Sequence, residues 1–202
     1  MSLSVRPAGD RALLLELASN DDAVRVARRA RAELASVVEV VPGHETVLLV
    51  FDSEPRAADA VALAEAALAD DHAPPEPVEI ELAVTYDGPD LAEVAQLASL
   101  SPEEVVARHC AATYTAGFLG FTPGFAYLLG LDERLHVPRR AEPRTRVPGG
   151  TVAIAGVYSG VYPRESPGGW RLLGRTDAEL FDASRKQPAL LAAGDRVRFV
   201  AR

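Results

Sequence analysis

The chain has 202 residues, of which 48% are hydrophobic and 25% are charged. These values are typical of folded globular domains and exclude a disordered or collagen-like chain. No run approaches the ~18 apolar residues of a membrane helix, and the first residues lack the order of a signal peptide. We therefore expect a cytoplasmic protein without membrane contact. The single cysteine, Cys110, excludes an internal disulfide and any zinc site that needs two cysteines.

Charge is distributed unevenly along the chain. Residues 1–110 carry 21 acidic and 8 basic side chains, whereas residues 111–202 carry 8 acidic and 13 basic ones. The overall net charge of −8 argues against nonspecific nucleic-acid binding. The basic second half is suited to meet an anion, although acids crowded on solvated helix faces explain the split equally well.

The first part of the chain predicts the order β-α-β-β-α. Residues 9–18 are typical of a strand, and 20–35 of an amphipathic helix capped by Asn or Asp. Two strands follow around Pro42, and a second helix is predicted over 55–71. The next segment, 70–77, holds three prolines and cannot easily continue an element. We therefore predict an α+β domain over residues 1–77 and a second domain over 78–202.

The composition of the second domain changes along the chain, from helical segments to glycine-rich short strands. A strand is predicted over 78–86, and two helices over 89–98 and 101–112, the latter opened by a capping box of Ser101 and Glu104. Beyond this point 11 of the 15 glycines lie between residues 117 and 174. Short β-type runs between Gly and Pro turns indicate a closed or strongly curved β unit, with a last strand over 194–201.

Familiar catalytic spacings are absent from the sequence. It contains no HExxH, GxSxG, EF-hand loop or GxxxxGK[ST], and we see no metal ligand set. His109 and Cys110 are adjacent on a predicted helix, where side chains point about 100° apart and cannot form a dyad. We expect Cys110 to be a small buried residue. His109 is the one histidine that we consider as an acid or base, with a packed structural histidine as the alternative.

Three Pro-Gly dipeptides, at 123–124, 148–149 and 167–168, suit the centre of type II turns. Aromatic residues flank these turns and three arginines lie between them, so exposed N–H groups and guanidinium forks could together hold a carboxylate or phosphate. Simple hairpin turns and surface salt bridges are the alternative. Ser166 could donate to an oxyanion, but it has no visible base.

Several longer motifs carry a resemblance. GFTPGFAYLLGL (120–131), LHVPRR (135–140), PGGTVAIAG (148–156) and SGVYPRESPGGW (159–170) follow in the order found in the family of the 5-oxoprolinase B subunit, also called allophanate hydrolase subunit 1 or KipI-like. The resemblance covers essentially the whole chain. It implies a small α+β domain followed by a cyclophilin-like β-barrel.

The resemblance also implies a function. Members of this family are expected to work with a second cyclophilin-like subunit, called the C subunit, and with a third one, the A subunit, to hydrolyse 5-oxoproline to glutamate with ATP. ATP use is implied for the complex and not for this chain alone. The alternatives are a KipI-type histidine-kinase inhibitor and a subunit related to allophanate hydrolase or urea carboxylase. Tyr158 and Ser159 replace the family's usual Gln and Thr, which leaves the substrate open.

Residue type and motif position select the candidate site. His109 is the predicted catalytic acid or base. The arginines are predicted to contact carboxylate or phosphate, the glycines to offer N–H groups to developing negative charge, and the aromatic rings to form the pocket wall. The predicted substrate-binding residues are Tyr114, Phe121, Gly124, Phe125, Tyr127, Arg139, Arg140, Arg144, Gly150, Tyr162, Ser166, Gly168 and Trp170.

Overall fold

A computed structural model describes residues 3–70 and 77–202, and the chain divides into two compact units, 1–76 and 77–202. The predicted boundary segment falls largely on residues 71–76, which lie outside the described residues. The predicted fold class, a small α+β domain followed by a β-barrel, is confirmed. Within the described ranges, no helix has the length and apolar character needed to cross a membrane.

The N-terminal unit is a four-stranded antiparallel sheet with two helices. Its elements are β1 (Ser4–Pro7), β2 (Ala12–Glu16), α1 (Asn20–Glu33), β3 (Val37–Pro42), β4 (Thr46–Phe51) and α2 (Ala57–Ala69), with strand order β1-β2-β4-β3. Strand β1 was not predicted, because its short sequence has no apolar alternation. The predicted Asn or Asp cap of α1 is wrong: the cap is Ser19, whose Oγ accepts from the Asp22 N–H at 3.2 Å.

Alternating residues of the central strands fill the core of this unit. Leu13 and Leu15 of β2 and Val47 and Leu49 of β4 are buried, because successive side chains of a strand point to opposite faces. The helices meet this sheet mainly through alanines and valine, and small side chains let helices approach closely.

The second unit, called here the barrel unit, holds nine strands, two α-helices and a short 3₁₀ helix (Glu133–Leu135) among its described residues 77–202. They are β5 (Glu79–Val84), α3 (Leu91–Ala98), α4 (Pro102–Ala111), β6 (Tyr114–Leu119), β7 (Ala126–Leu129), β8 (Arg144–Val147), β9 (Thr151–Ala155), β10 (Tyr158–Val161), β11 (Ser166–Gly168), β12 (Arg171–Arg175) and β13 (Arg196–Ala201). Seven strands form one sheet in the order β12-β9-β10-β7-β6-β13-β5, and β11 pairs with β8. The capping box predicted for α4 is confirmed.

A backbone bridge between the two outer strands of the large sheet almost closes it into a barrel. Thr85, which follows β5, and Arg175, at the end of β12, exchange two N–H···O bonds of 2.9 Å. A Cβ on Gly174 would lie far inside van der Waals contact with the Thr85 carbonyl oxygen. Glycine is therefore needed where the two backbones meet.

Strand β9 is buried on both faces, so the sheet has an outer cluster as well as an interior core. Val152 and Ile154 point into the main core, whereas Ala153 and Ala155 belong to a second cluster on the other face. That second cluster also contains Phe125, Val147, Tyr162, Trp170 and Leu172. The barrel thus carries an aromatic surface outside its core, and this surface positions the candidate site.

Candidate functional site

A cavity of about 240 Å³ opens on the outer cluster of the barrel unit, and we call it the aromatic pocket. Its lining residues come from four segments of the chain, 121–127, 139–143, residue 162 and 167–170. They are Phe121, Phe125, Tyr127, Arg139, Pro143, Tyr162, Pro167, Gly168, Gly169 and Trp170. The structure therefore brings together most of the aromatic residues predicted for the site, one of its arginines and one of its glycines.

The rings of the pocket pack edge to face. The Phe125 ring lies 5.3 Å from Trp170 and 5.5 Å from Tyr162, and the Tyr127 ring lies 5.6 Å from Trp170. Centroid distances of 4.5–7 Å and steep angles are the favoured geometry of aromatic pairs. The walls are thus fixed by ring contacts, which leaves a preformed apolar floor.

Phe121 stands at the edge of the pocket in a strained conformation. Its φ of 69° is the only positive φ of an aromatic residue in the described chain, and its side chain is 58% exposed. The Thr122 N–H donates to the Gly120 carbonyl oxygen at 2.9 Å, which places Phe121 at the centre of a tight turn. Strain of this kind concentrates at ligand-binding positions.

Tyr162 forms the floor next to a glycine. A Cβ on Gly168 would overlap the Tyr162 hydroxyl, so only glycine lets the phenol lie against this strand. Burial raises the pKa of the Tyr162 phenol, while the nearby Arg139 and Arg144 charges oppose that effect. The phenol therefore keeps its proton near neutral pH.

Arg139 is the cation of the pocket. Its guanidinium carbon lies 6.0 Å from the centroid of the Trp170 ring, at the limit of a cation–π contact. Its side chain is exposed, and no carboxylate is among the lining residues. In the part of the chain that the structure describes, Arg139 has no ion pair.

Arg140 and Arg144, predicted beside Arg139 as substrate contacts, point instead to a buried carboxylate. Arg144 Nη2 lies 2.6 Å and Arg140 Nη1 3.3 Å from Asp90 Oδ1, and Asp90 is 2% exposed. The Leu172 N–H donates to Asp90 Oδ2 at 2.8 Å. Each arginine thus has an ion pair with Asp90, and neither lines the aromatic pocket, so the geometry does not support a direct anion contact there.

A second carboxylate extends this arrangement into what we call the Asp90 cluster: Asp90, Glu93, Arg140, Arg144 and Arg171. Glu93 Oε2 lies 2.5 Å from Arg171 Nη1 and 3.6 Å from Arg140 Nη1. Burial alone raises the pKa of Asp90, but hydrogen bonds from Arg144 and the Leu172 N–H, with the two arginine charges, outweigh it and lower the pKa. Asp90 is therefore ionised near neutral pH.

Sequence reasoning missed Asp90. An aspartate directly before a helix is normally a helix cap, and Asp90 indeed precedes α3. Its side chain makes no capping hydrogen bond and reaches Leu172 and Arg144, more than 50 residues away along the chain. No local pattern distinguishes these two uses of the same residue type.

Four other predicted residues lie away from the aromatic pocket. The Tyr114 hydroxyl is buried and donates to the His109 carbonyl oxygen at 2.9 Å, and the Gly150 N–H donates to the Tyr162 carbonyl oxygen at 2.7 Å. Gly124 packs against Phe181, and the Ser166 Oγ reaches only the Arg164 carbonyl oxygen. None of the four is a lining residue.

Only the first of the three Pro-Gly dipeptides has the predicted turn geometry. Gly124 has a φ of 83°, and the Phe125 N–H donates to the Thr122 carbonyl oxygen at 3.0 Å, as in a type II turn. In the second dipeptide the positive φ belongs to the next residue, Gly150. The third lies in β11, so that turn prediction is wrong.

His109 is completely buried at the C-terminal end of α4. Its Nδ1 lies 2.7 Å from the Tyr86 hydroxyl and its Nε2 2.9 Å from Ser159 Oγ. Burial lowers its pKa to about 3, so the ring is neutral at ordinary pH. Because both ring nitrogens have protein partners and the ring is not exposed, this geometry does not support the predicted acid–base role.

Cys110 and Tyr86 face a larger groove of about 560 Å³ between α4 and β13. The prediction of a buried Cys110 is only partly right, since it is half-buried and its Sγ lies 3.3 Å from the Tyr86 hydroxyl. None of the predicted site residues lines this groove. Among the described residues there is also no group of three His, Cys, Asp or Glu residues that could hold a metal.

The fold and the aromatic pocket define a class of protein, in which a small α+β unit precedes a nearly closed β-barrel with a pocket on its outer face. Residues 3–191 match the family described as "Carboxyltransferase domain, subdomain C and D", and the chain belongs to this family.

Curated relatives are similar over much of the chain. The protein named as the B subunit of 5-oxoprolinase from Escherichia coli O157:H7 is 44% identical over 203 aligned positions, which cover 95% of this chain and 93% of the relative. The protein of the same name from Bacillus subtilis (strain 168) is 48% identical over 124 residues, covering 60% of this chain and 52% of the relative.

Solved structures share the fold. The crystal structure of TTHA0988 matches with a TM-score of 0.83 and 36% identity over 95% of this chain, which spans only 39% of that protein. The urea amidolyase of K. lactis matches with a TM-score of 0.80 at 22% identity, covering 99% of this chain and 15% of that one. The second match shows the fold alone.

Proposed function

We propose that this chain is the B subunit of an ATP-dependent 5-oxoprolinase and acts with the A and C subunits to hydrolyse 5-oxoproline to glutamate. The observation that carries the proposal is the 44% identity to a 5-oxoprolinase B subunit over nearly the whole of both chains. Because that relative is named as one subunit of an enzyme, its name implies further subunits.

The aromatic pocket supports this proposal through its size and chemistry. Ring walls and a single cation suit a small cyclic amide that carries a carboxylate, which is the structure of 5-oxoproline. The seven predicted residues in the pocket are our proposed substrate contacts: Phe121, Phe125, Tyr127, Arg139, Tyr162, Gly168 and Trp170.

ATP belongs to the complex in this proposal. A lactam resists water because its nitrogen shares electrons with the carbonyl, and phosphorylation of the lactam oxygen by ATP would make the carbonyl carbon a better electrophile. This chain has no Walker lysine in its sequence and no metal-binding group among its described residues. We therefore place the nucleotide on a partner subunit and only the ring and carboxylate on this chain.

The test compares the chain with the complex. Glutamate formation from 5-oxoproline is measured for this chain alone, for the A and C subunits without it, and for all three subunits, each with and without ATP. We expect turnover only when all three subunits and ATP are present. Full turnover by this chain alone contradicts partner dependence, and an assembled complex that forms no glutamate contradicts the proposed function.

A further inference from the structure

The aromatic pocket is lined by two side chains that can donate hydrogen bonds to a ligand oxygen, the guanidinium of Arg139 and the hydroxyl of Tyr162. Arg139 is exposed without an ion pair among the described residues, and no carboxylate lines the pocket. The Tyr162 hydroxyl lies against Gly168 in the same pocket, and a phenol can donate its proton to a ligand oxygen. Charge-assisted donors of this kind are suited to a carboxylate.

The two groups lie on the same pocket. Both residues line it, and the Arg139 charge acts on the Tyr162 phenol. The backbone beside each is fixed: the Arg140 N–H donates to the Gly169 carbonyl oxygen at 2.8 Å, and Gly168 leaves room for the phenol. The backbone beside Arg139 and the position of the phenol are therefore set before any ligand arrives, which reduces the entropy lost on binding.

We propose that Arg139 and Tyr162 form a carboxylate clamp, which binds a small ring-bearing carboxylic acid with its ring against Trp170 and Phe125. The clamp deepens the proposed function and rests on it for the identity of the acid, 5-oxoproline. Arg139 thereby selects the free acid over amides of the same ring, because an amide offers no negative charge to the guanidinium.

The Asp90 cluster assigns the clamp to Arg139 rather than to its neighbours. Arg140 and Arg144 both have an ion pair with Asp90, and neither lines the pocket, whereas Arg139 lines it without an ion pair among the described residues. Asp90 also connects Arg140 and Arg144 to the Leu172 N–H, two residues after Trp170. It is a positioning residue of the clamp and not a ligand contact.

The single tryptophan makes binding measurable without turnover. Trp170 is the only tryptophan of the chain and lines the aromatic pocket, so its fluorescence reports on that site alone. The purified full chain is titrated with 5-oxoproline, with its amide, with 2-pyrrolidinone and with cyclopentanecarboxylate. We expect saturable, mutually competitive changes with the two acids, and affinities about tenfold weaker or worse with the two uncharged compounds.

Matched variants test the two groups of the clamp. Arg139→Gln should weaken binding of both acids about ten- to hundredfold, and Tyr162→Phe about tenfold, with melting temperatures close to that of the wild type. Arg164→Gln, an exposed arginine outside the pocket, is the control and should change affinity less than about threefold.

The outcomes separate the clamp from the proposed function. Equal affinity for acid and amide, unchanged binding by Arg139→Gln, or the absence of any saturable change overturns the clamp. If the assembled complex forms glutamate and its KM is the same with Arg139→Gln, the function stands and the clamp fails. If this chain binds the acids as described but the complex forms no glutamate, the clamp stands and the proposed function fails.

Discussion

Arg139 and Arg140 are neighbours in the sequence, but the structure gives their guanidinium groups opposite surroundings. Arg140 belongs to the Asp90 cluster, where a buried carboxylate compensates it, while Arg139 faces aromatic rings and has no counter-charge among the described residues. Arginines that are adjacent in the sequence can therefore serve different sites. The compensated arginines are expected to stabilise the fold, and the uncompensated one to bind ligand.

The largest expected effect comes from removing the centre of the cluster. Asp90→Asn should lower the free energy of unfolding by about 3–5 kcal/mol, because it leaves two guanidinium groups without their carboxylate. Arg140 Nε and Arg144 Nη1 already have no partner within the described residues, and Arg140 would keep only its 3.6 Å contact with Glu93. Urea unfolding measures the change, and a loss below about 1 kcal/mol would show that the cluster does not stabilise the unit.

His109 is a second buried titratable group, but no opposite charge faces it in the described part of the chain, so its effect appears in how stability depends on pH. The folded pKa of His109, about 3, lies below the ordinary value of 6.5, so the unfolded chain alone takes up this proton between those values. Stability should therefore fall as pH drops through that window, by about 1 kcal/mol per pH unit. His109→Gln should remove this slope, whereas His136→Gln, at an exposed position, should retain it.

The carboxylate of Asp90 titrates in a different window. Its folded pKa is lowered, so its contribution is present above its ordinary pKa and is lost as pH falls through the lower folded value. The free energy of unfolding, measured from pH 7 to 2 for Asp90→Asn and for His109→Gln, separates the contributions of Asp90 and His109. An identical pH profile for His109→Gln and the wild type would contradict the neutral buried histidine.

Paired alanine variants test the arginines directly. Arg144→Ala should lower the free energy of unfolding by about 1.5–3 kcal/mol, because it removes a 2.6 Å charge-assisted hydrogen bond to a buried carboxylate. Arg139→Ala should change it by less than about 0.5 kcal/mol, since its side chain is exposed and unpaired within the described chain. If Arg144→Ala and Arg139→Ala lose the same free energy of unfolding in heat and in urea, the distinction between the Asp90 cluster and the aromatic pocket is wrong.

The smallest expected effect lies at the pocket edge. Phe121→Gly removes an aromatic contact but relieves a positive φ, so stability should stay constant or rise by up to about 1 kcal/mol. Binding of 5-oxoproline, followed by Trp170 fluorescence, should weaken at the same time. A variant that loses stability and keeps its affinity would show that Phe121 serves the fold and not the pocket.

Much of the fold could be predicted from local pattern. The apolar spacing of α1 and α2, the Ser101 capping box and the strand alternation each depend on residues a few positions apart, and all of these elements were found. The glycine-rich, aromatic stretch beyond Tyr114 also indicated a β-barrel and most of the rings that line the pocket. Short strands without alternation, such as β1, carried no such signal.

The sequence by itself determined the family motifs, the two-part α+β architecture and the kinds of side chain available to a site. Only the tertiary structure decided which of them are used. Asp90 forms ion pairs with Arg140 and Arg144, and Tyr86 and Ser159 lie within hydrogen-bond distance of the two ring nitrogens of His109. Arg139 lies over the Trp170 ring instead. The physical reason is that charge compensation and burial depend on groups distant in the chain, which meet only when the barrel closes.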